Sequence, residues 1–217
     1  MVARPQTIGE AERRRVTEAI ARAETQTSGE IVVVVARWCD EYLYVPVLWG
    51  ALVALMLPLP LLLFGGLSAF FIFALQLAAF AVFSIALSIW PVRMAVTPRT
   101  LKEKHCRKTA LEQFQARAMP TTKGRSGLLI FVALEERYCE ILVDTAIAAR
   151  IDASQWQRTV AATVALIGEG RLGEGLVTAV DACGELLGEH FPPRRPDRNE
   201  LPDPLVLLNM DGPRRNG

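Results

Sequence analysis

YLYVPVLWGALVALMLPLPLLLFGGLSAFFIFALQLAAFAVFSIALSIWPV, residues 42–92, contains no Lys, Arg, Asp or Glu, and its reading decides the fold. A hydrocarbon core about 30 Å thick takes roughly 20 apolar residues of helix, so the stretch holds two spans. Gly65-Gly66 divides it where a tight bend is easiest. The expected element is a transmembrane helical hairpin, with one span at about 44–64 and the other at about 67–90. A buried helix of a soluble core is a poor alternative, because uncharged runs of about 18 residues already point to a membrane. Pro58 and Pro60 interrupt the helix ladder. The first span therefore either crosses fully or ends near Leu57 and turns as a re-entrant segment.

Outward from the hairpin, charge is uneven. Residues 1–43 carry six basic and seven acidic side chains, and residues 126–217 carry nine and fourteen. Residues 92–125 carry nine basic and two acidic side chains, and this excess directly follows the second span. Excess Lys and Arg beside a span marks the cytoplasmic side, and two spans return the chain to its starting side. Both termini are therefore expected in the cytoplasm, with the hairpin in the inner (plasma) membrane. Tyr42, Tyr44, Trp49 and Trp90 fall at one end of the hairpin, as interfacial aromatics do. The first forty residues are charged and amphipathic and show no secretory-signal pattern. Cys39, Cys106, Cys139 and Cys183 are dispersed, without a CxxC pair or zinc-finger spacing, and read as free core thiols in a reducing compartment.

The flanks read as alternating helices and strands. Thr7-x-x-Glu10 is a capping-box pattern that starts a helix with Ile8, Ala11, Val16, Ala19, Ile20 and Ala23 on one face. EIVVVVA, 30–36, is apolar at successive positions, as in a strand covered on both faces. Beyond the hairpin, Thr100-x-x-Glu103 predicts a helix over about 101–118, with Cys106, Ala110, Leu111, Phe114 and Ala118 inward. LLIFVAL, 128–134, is a second buried strand, and a polar turn at 135–137 leads to an alternating strand from Cys139 to Val143. Asp152 caps a helix with Trp156, Val160, Val164 and Ile167 inward. A last helix, about 174–189, turns Leu176, Val180, Cys183 and Leu187 inward.

One helix and one strand are too little for an independent domain. Residues 1–41 are therefore expected to pack with 93–192 as one α/β domain that the hairpin at 42–92 interrupts. The helix at 101–118 would serve as the crossover between parallel strands. Residues 193–217 read as a proline-rich tail.

The stretches TSGEIVVVV (27–35), GRSGLLIFVALEERYCEILVD (124–144) and WQRTVAATVALIGEGRLGEGLVTAV (156–180) resemble the TPM-domain family, also called the TPM phosphatase family. The ending HFPPRRPDRNELPD, 190–203, is similar to that of a membrane-bound bacterial subgroup. The resemblance implies a small mixed sheet sandwiched by helices. It also implies a range of roles: acid phosphatase activity and photosystem repair in plant members, a receptor accessory subunit in a nematode, and divalent-cation binding through clustered aspartates in some bacterial members. This chain departs from the metal-binding pattern. The turn TTKGRS, 121–126, has two cations and no carboxylate, and the Asn-Asp element near the domain start is absent.

Asp144 ends a strand, where sites of α/β sheets form, and Asp40 and Glu41 follow the first strand. Asp144 and Asp40 are the candidate metal ligands, for calcium or magnesium. The competing reading of Asp144 is a turn or capping carboxylate. Asp152 reads as an N-cap and Asp181 as a solvated helix residue. His105 and His190 have no evident catalytic partner, and neither a nucleophile elbow nor a phosphate loop is present. Arg93, Arg99, Lys102, Lys104, Arg107 and Lys108 are candidate contacts for anionic lipid headgroups. No stacking aromatics interleave these charges, which argues against nucleic acid. The expected function is that of a membrane-anchored interaction or accessory module, with other membrane or peripheral proteins as partners. The alternative is a divalent-cation-dependent phosphatase-like hydrolase.

Overall fold

In the computed structural model, β1 (Glu30–Ala36) is the centre of the α/β unit, and five of its residues from Ile31 to Val35 are at most 1 % exposed. The structure describes residues 8–64, 66, 68–117, 126–193 and 204–210. The chain divides into two units. One takes in residues up to Cys39 and from Glu103 onward, and the other spans Asp40–Lys102.

Four strands form one mixed sheet in the order β3-β2-β1-β4. β2 (Gly127–Ala133) runs parallel to β1, with Glu30 opposite Gly127 and Ala36 opposite Ala133. β3 (Tyr138–Val143) returns antiparallel to β2 through the polar turn. β4 (Leu205–Leu208) adds to the free edge of β1, parallel, with Val33 N–H donating to Pro204 O at 2.8 Å. The sequence reading assigned β4 to a tail. LVLL is too short to announce a strand, and it forms one because β1 offers a row of unpaired backbone groups at its edge.

Helices cover both faces. One face of the sheet packs with α1 (Glu10–Glu24), α8 (Ala153–Gly168) and α9 (Leu172–His190). The other packs with α6 (Arg99–Ala116) through Cys106, Ala110 and Phe114. α1 begins after Gly9, whose N–H donates to Glu12 Oε2 at 3.0 Å, so the cap lies two residues later than the Thr7–Glu10 pattern; Thr7 is outside the described residues, and Ala11, expected inward, is exposed. α6 begins after Pro98, whose carbonyl accepts from Leu101 N at 3.1 Å, and not from a Thr100 cap. Leu111, expected inward, is 40 % exposed, since α6 buries only a narrow stripe. Ala118, the loop at 118–125 and residues 194–203 lie outside the described residues.

The inner face of α8 is also rotated from expectation. Trp156, Thr159 and Thr163 are buried, whereas Val164 is 40 % exposed. The threonines are tolerated because each hydroxyl donates to a carbonyl one turn back: Thr163 to Thr159 O at 2.8 Å, Thr159 to Gln155 O at 3.4 Å. α9 meets its neighbours through small residues. A Cβ at Gly175 would lie 3.2 Å from Ile167, and one at Gly184 would lie 2.7 Å from the Ala23 side chain on α1. Beyond α9, Phe191 O accepts from Thr27 Oγ1 at 2.8 Å and Ser28 N at 2.9 Å, which ties the helix end to the start of β1.

The second unit is the hairpin. Two helical stretches, Tyr44–Leu63 and Ala69–Ser88, are long and apolar enough to cross a membrane. The first comprises α2 (Tyr44–Met56) and α3 (Pro58–Phe64), divided at the expected prolines; Leu57 keeps helical dihedrals, so the direction of the chain continues. The second is α4 (Ala69–Ser88), followed by the short α5 (Trp90–Val96). α2 meets α4 at Gly50, where a Cβ would collide with Ser84 Oγ and lie 3.2 Å from Phe80 O. Small residues at such crossings let apolar helices approach closely. Tyr42 is fully buried with Val45 and Met94, at φ 51°, and is therefore not an interfacial aromatic of this unit. Tyr44 and Trp49 are 43 % and 41 % exposed.

Candidate functional site

The carboxyl ends of β1 and β2 bring three chemistry-bearing residues together. Cys39 follows β1, Glu136 lies in the β2–β3 turn, and Cys106 projects from α6 onto the same end of the sheet. The two sulfurs and a carboxylate oxygen lie within 4.8 Å of one another. Glu136 Oε1 accepts from Cys39 N at 2.9 Å, so the turn is latched to the end of β1. Arg37 and Glu135, at 3.6 Å, and the backbone bond from Glu135 N to Arg37 O add to this latch. Cys106 is fully buried and Cys39 half-buried. The Cys39 thiol is pushed well above the usual range, first by its hydrogen bond with Cys106, then by burial and by the Glu136 charge. Cys39 is thus held as a thiol at neutral pH.

Beside this cluster, Tyr138 Oη donates to Glu140 Oε2 at 2.7 Å, and Arg107 lies 3.4 Å from the other oxygen of Glu140. Burial pushes the Tyr138 phenol up, so it stays a donor. The remaining thiols are in the opposite face of the core. Cys139 is pushed up to about 12 by burial, and burial raises Cys183 as well.

Asp144 stands at the other end of the sheet. β3 runs antiparallel to β2, so Asp144 N–H reaches Gly127 O at 3.0 Å, at the start of β2, while Cys39 leaves from the far end of β1. Asp144 therefore lies at the opposite end of the sheet from Cys39. Asp144 caps α7 (Thr145–Ala148): Oδ1 accepts from Thr145 N at 2.5 Å and Thr145 Oγ1 at 3.1 Å. Its Oδ2 is buried without a hydrogen-bond partner. Among the described residues, no group of three metal-ligating side chains includes Asp144. Asp40, in the hairpin unit, turns Oδ1 onto the backbone N–H groups of Glu41 at 2.6 Å and Tyr42 at 3.4 Å.

Capping and metal binding at Asp144 separate by substitution. Asn keeps the capping oxygen, whereas Ala removes it, and loss of such a cap costs about 1 kcal/mol. Asp144→Ala should therefore lower the melting temperature while Asp144→Asn leaves it near the wild-type value. Calcium or magnesium should shift none of the three. A calcium-dependent rise in wild type that Asp144→Asn abolishes would show a ligand role instead.

The candidate lipid contacts are not equivalent. Arg93 is 8 % exposed, and its guanidinium lies 5.1 Å from the centre of the Trp90 ring. Lys102 Nζ donates to Met94 O at 2.5 Å. Arg107 and Lys108 pair with Glu140 and Glu112, at 3.4 and 3.8 Å. Arg99 and Lys104 are exposed. Of the other acids, Asp152 caps α8 through Ser154 N at 2.8 Å, and Asp181 lies 3.6 Å from Arg22 on α1. His190 Nδ1 is 3.1 Å from Leu186 O, one turn back on α9. The thiol–carboxylate cluster escaped the sequence reading because its members are far apart in the chain and follow no ligand spacing; the one available signal was a Cys directly after a buried strand.

A mixed sheet with helices on both faces and strand-end clusters defines an α/β sandwich. The family model for the TPM domain matches residues 90–186. The matched window opens at α5, so α1 and β1, which the hairpin separates from the other strands, lie outside it. Among solved structures, the fold is similar to the NMR structure of BA42 protein from the psychrophilic bacterium Bizionia argentinensis. The TM-score is 0.58 at 19 % identity, covering 95 % of this chain and 98 % of that one. No curated protein matches the chain.

Proposed function

We propose that this protein is an integral membrane member of the TPM-domain family, whose hairpin holds the α/β domain at the cytoplasmic face as an interaction or accessory module. One observation carries this reading. α4 has no buried residue along its 20-residue length, and Phe70, Phe71, Phe73, Leu77, Val82 and Ile85 are all more than half exposed. A helix apolar on every side has no stable place in water, whereas lipid satisfies it. The basic residues after the second span support a cytoplasmic assignment for both flanks. The capping role of Asp144 supports an accessory module over a hydrolase, because a two-metal or metal–water hydrolase needs several converging ligands.

The test has two arms on the full chain. Single cysteines introduced near either terminus, in a background lacking the native four, should react with an impermeant maleimide only after cells are opened. Reaction in intact cells would overturn the topology. In detergent, the purified protein should show no turnover of a phosphate monoester with calcium or magnesium. Metal-dependent turnover that Asp144→Asn abolishes would replace the accessory reading with the hydrolase.

A further inference from the structure

We propose that Cys39, Cys106 and Glu136, brought together at the carboxyl ends of β1 and β2, form a binding site for a thiophilic divalent cation of the zinc class.

Three features of the geometry carry it. First, the donors come from three separate elements, a strand end, a crossover helix and a turn, yet their ligand atoms lie within 4.8 Å of one another. A tetrahedral ion with metal–sulfur bonds of about 2.3 Å holds two sulfurs about 3.8 Å apart, a spacing within the 4.8 Å that spans the set. Second, the set is fixed in place. Cys106 is fully buried in the core cluster with Val34, Ala36, Phe131 and Ala133, and the carboxylate of Glu136 is oriented by the N–H of Cys39. Third, the donor set is soft. Two thiolates and one carboxylate select zinc-like ions over calcium and magnesium.

The electrostatics point the same way. Two thiols and the Glu136 carboxylate converge in an apolar surrounding, and the carboxylate charge opposes ionisation of Cys39. A dication reverses that balance: it releases two thiol protons and is bound by two thiolates and a carboxylate, a net charge of −1 at the centre. Three protein ligands leave the fourth position for water. Cys39 and Cys106 also bracket the hairpin in sequence, so one ion would close residues 40–105 into a loop. This gives the two chain segments of the α/β domain a cross-link independent of the hairpin.

Cobalt(II) alone is the probe, added to the reduced full chain in detergent. One equivalent should produce thiolate-to-metal charge-transfer absorption and tetrahedral ligand-field bands. Zinc should displace it stoichiometrically, and calcium and magnesium in large excess should not. Cys39→Ser should abolish the charge-transfer signal, and Glu136→Gln should weaken cobalt affinity at least tenfold. Cys139→Ser should leave the titration unchanged. Cys106→Ser is informative only if the metal-free protein melts as wild type, whereas Cys39, half-buried, supplies the test in any case. Absence of the signal, its persistence in Cys39→Ser, or its loss in Cys139→Ser would overturn the proposal. A Cys39–Cys106 disulfide that persists after treatment with reductant would also overturn it.

Discussion

Two arginines on the exposed side of α4, Phe73→Arg with Leu77→Arg, should remove the protein from the membrane fraction. Both side chains are well exposed, 63 % and 58 %, and the two positions lie one turn apart in the N-terminal half of the helix. In a soluble protein such a change is benign, since a cation on an open surface improves solvation. In a bilayer an arginine at the helix centre costs about 2.5–3.5 kcal/mol and less toward the ends, so the pair costs at most about 5–7 kcal/mol. That suffices to reverse insertion of a helix whose remaining residues each contribute a few tenths. Wild type should resist alkaline carbonate extraction, and the double variant should appear in the supernatant or be degraded. A control with Phe73→Leu and Leu77→Ile should stay in the membrane. Equal extraction of wild type and arginine variant would mean that the hairpin does not reside in lipid.

The two long apolar helices and the parallel pairing of β1 and β2 were legible in the sequence for related reasons. Both are continuous apolar runs, and length alone separates them: EIVVVVA and GLLIFVA are strand-sized, whereas residues 42–92 are not. The helices were legible from apolar spacing, but their orientation was less so. α8 shows why. A face of Trp156, Thr159 and Thr163 looks half polar in sequence, and only the return of each hydroxyl to a carbonyl one turn back makes it a core face. β4 was hidden for the opposite reason. Four apolar residues beside prolines carry no periodicity, and their strand character comes from the edge they pair with.

The site was the least legible part. Asp144 was singled out for its place at a strand end, but which end of the sheet it occupies depends on β3 running antiparallel, a fact held in pairing and not in residue type. Cys39, Cys106 and Glu136 were visible as single residues. Their meeting depends on the crossover: α6 must lie over the sheet with Cys106 facing it, and the β2–β3 turn must reach the end of β1. The hairpin obscures this relation by placing more than sixty residues between the two cysteines.

Gly184→Val should have the largest effect on the stability of the α/β domain. Gly184 is buried on α9 where that helix crosses α1, and the new Cβ would stand 2.7 Å from Ala23 Cβ and 3.3 Å from Ala23 Cα. Neither atom can rotate away, because one is a methyl fixed to the backbone and the other is backbone. The helices must separate, and α1 cannot move freely: Val16, Ala19 and Ile20 are fully buried in the same core. Overpacking of this kind costs about 1–3 kcal/mol, and the two extra methyls of valine place the loss at the upper end. The glycine is itself unfavourable in a helix by about 1 kcal/mol relative to alanine, so Gly184→Ala recovers part of its own strain and should destabilise less. Ala23→Gly should restore Gly184→Ala in part, since it removes the methyl in collision. A coupling of this sign in the double-mutant cycle, measured by denaturant unfolding in detergent, assigns the loss to the α1–α9 contact. Additive effects, or a Gly184→Val variant as stable as wild type, would mean that the helices do not approach at this point.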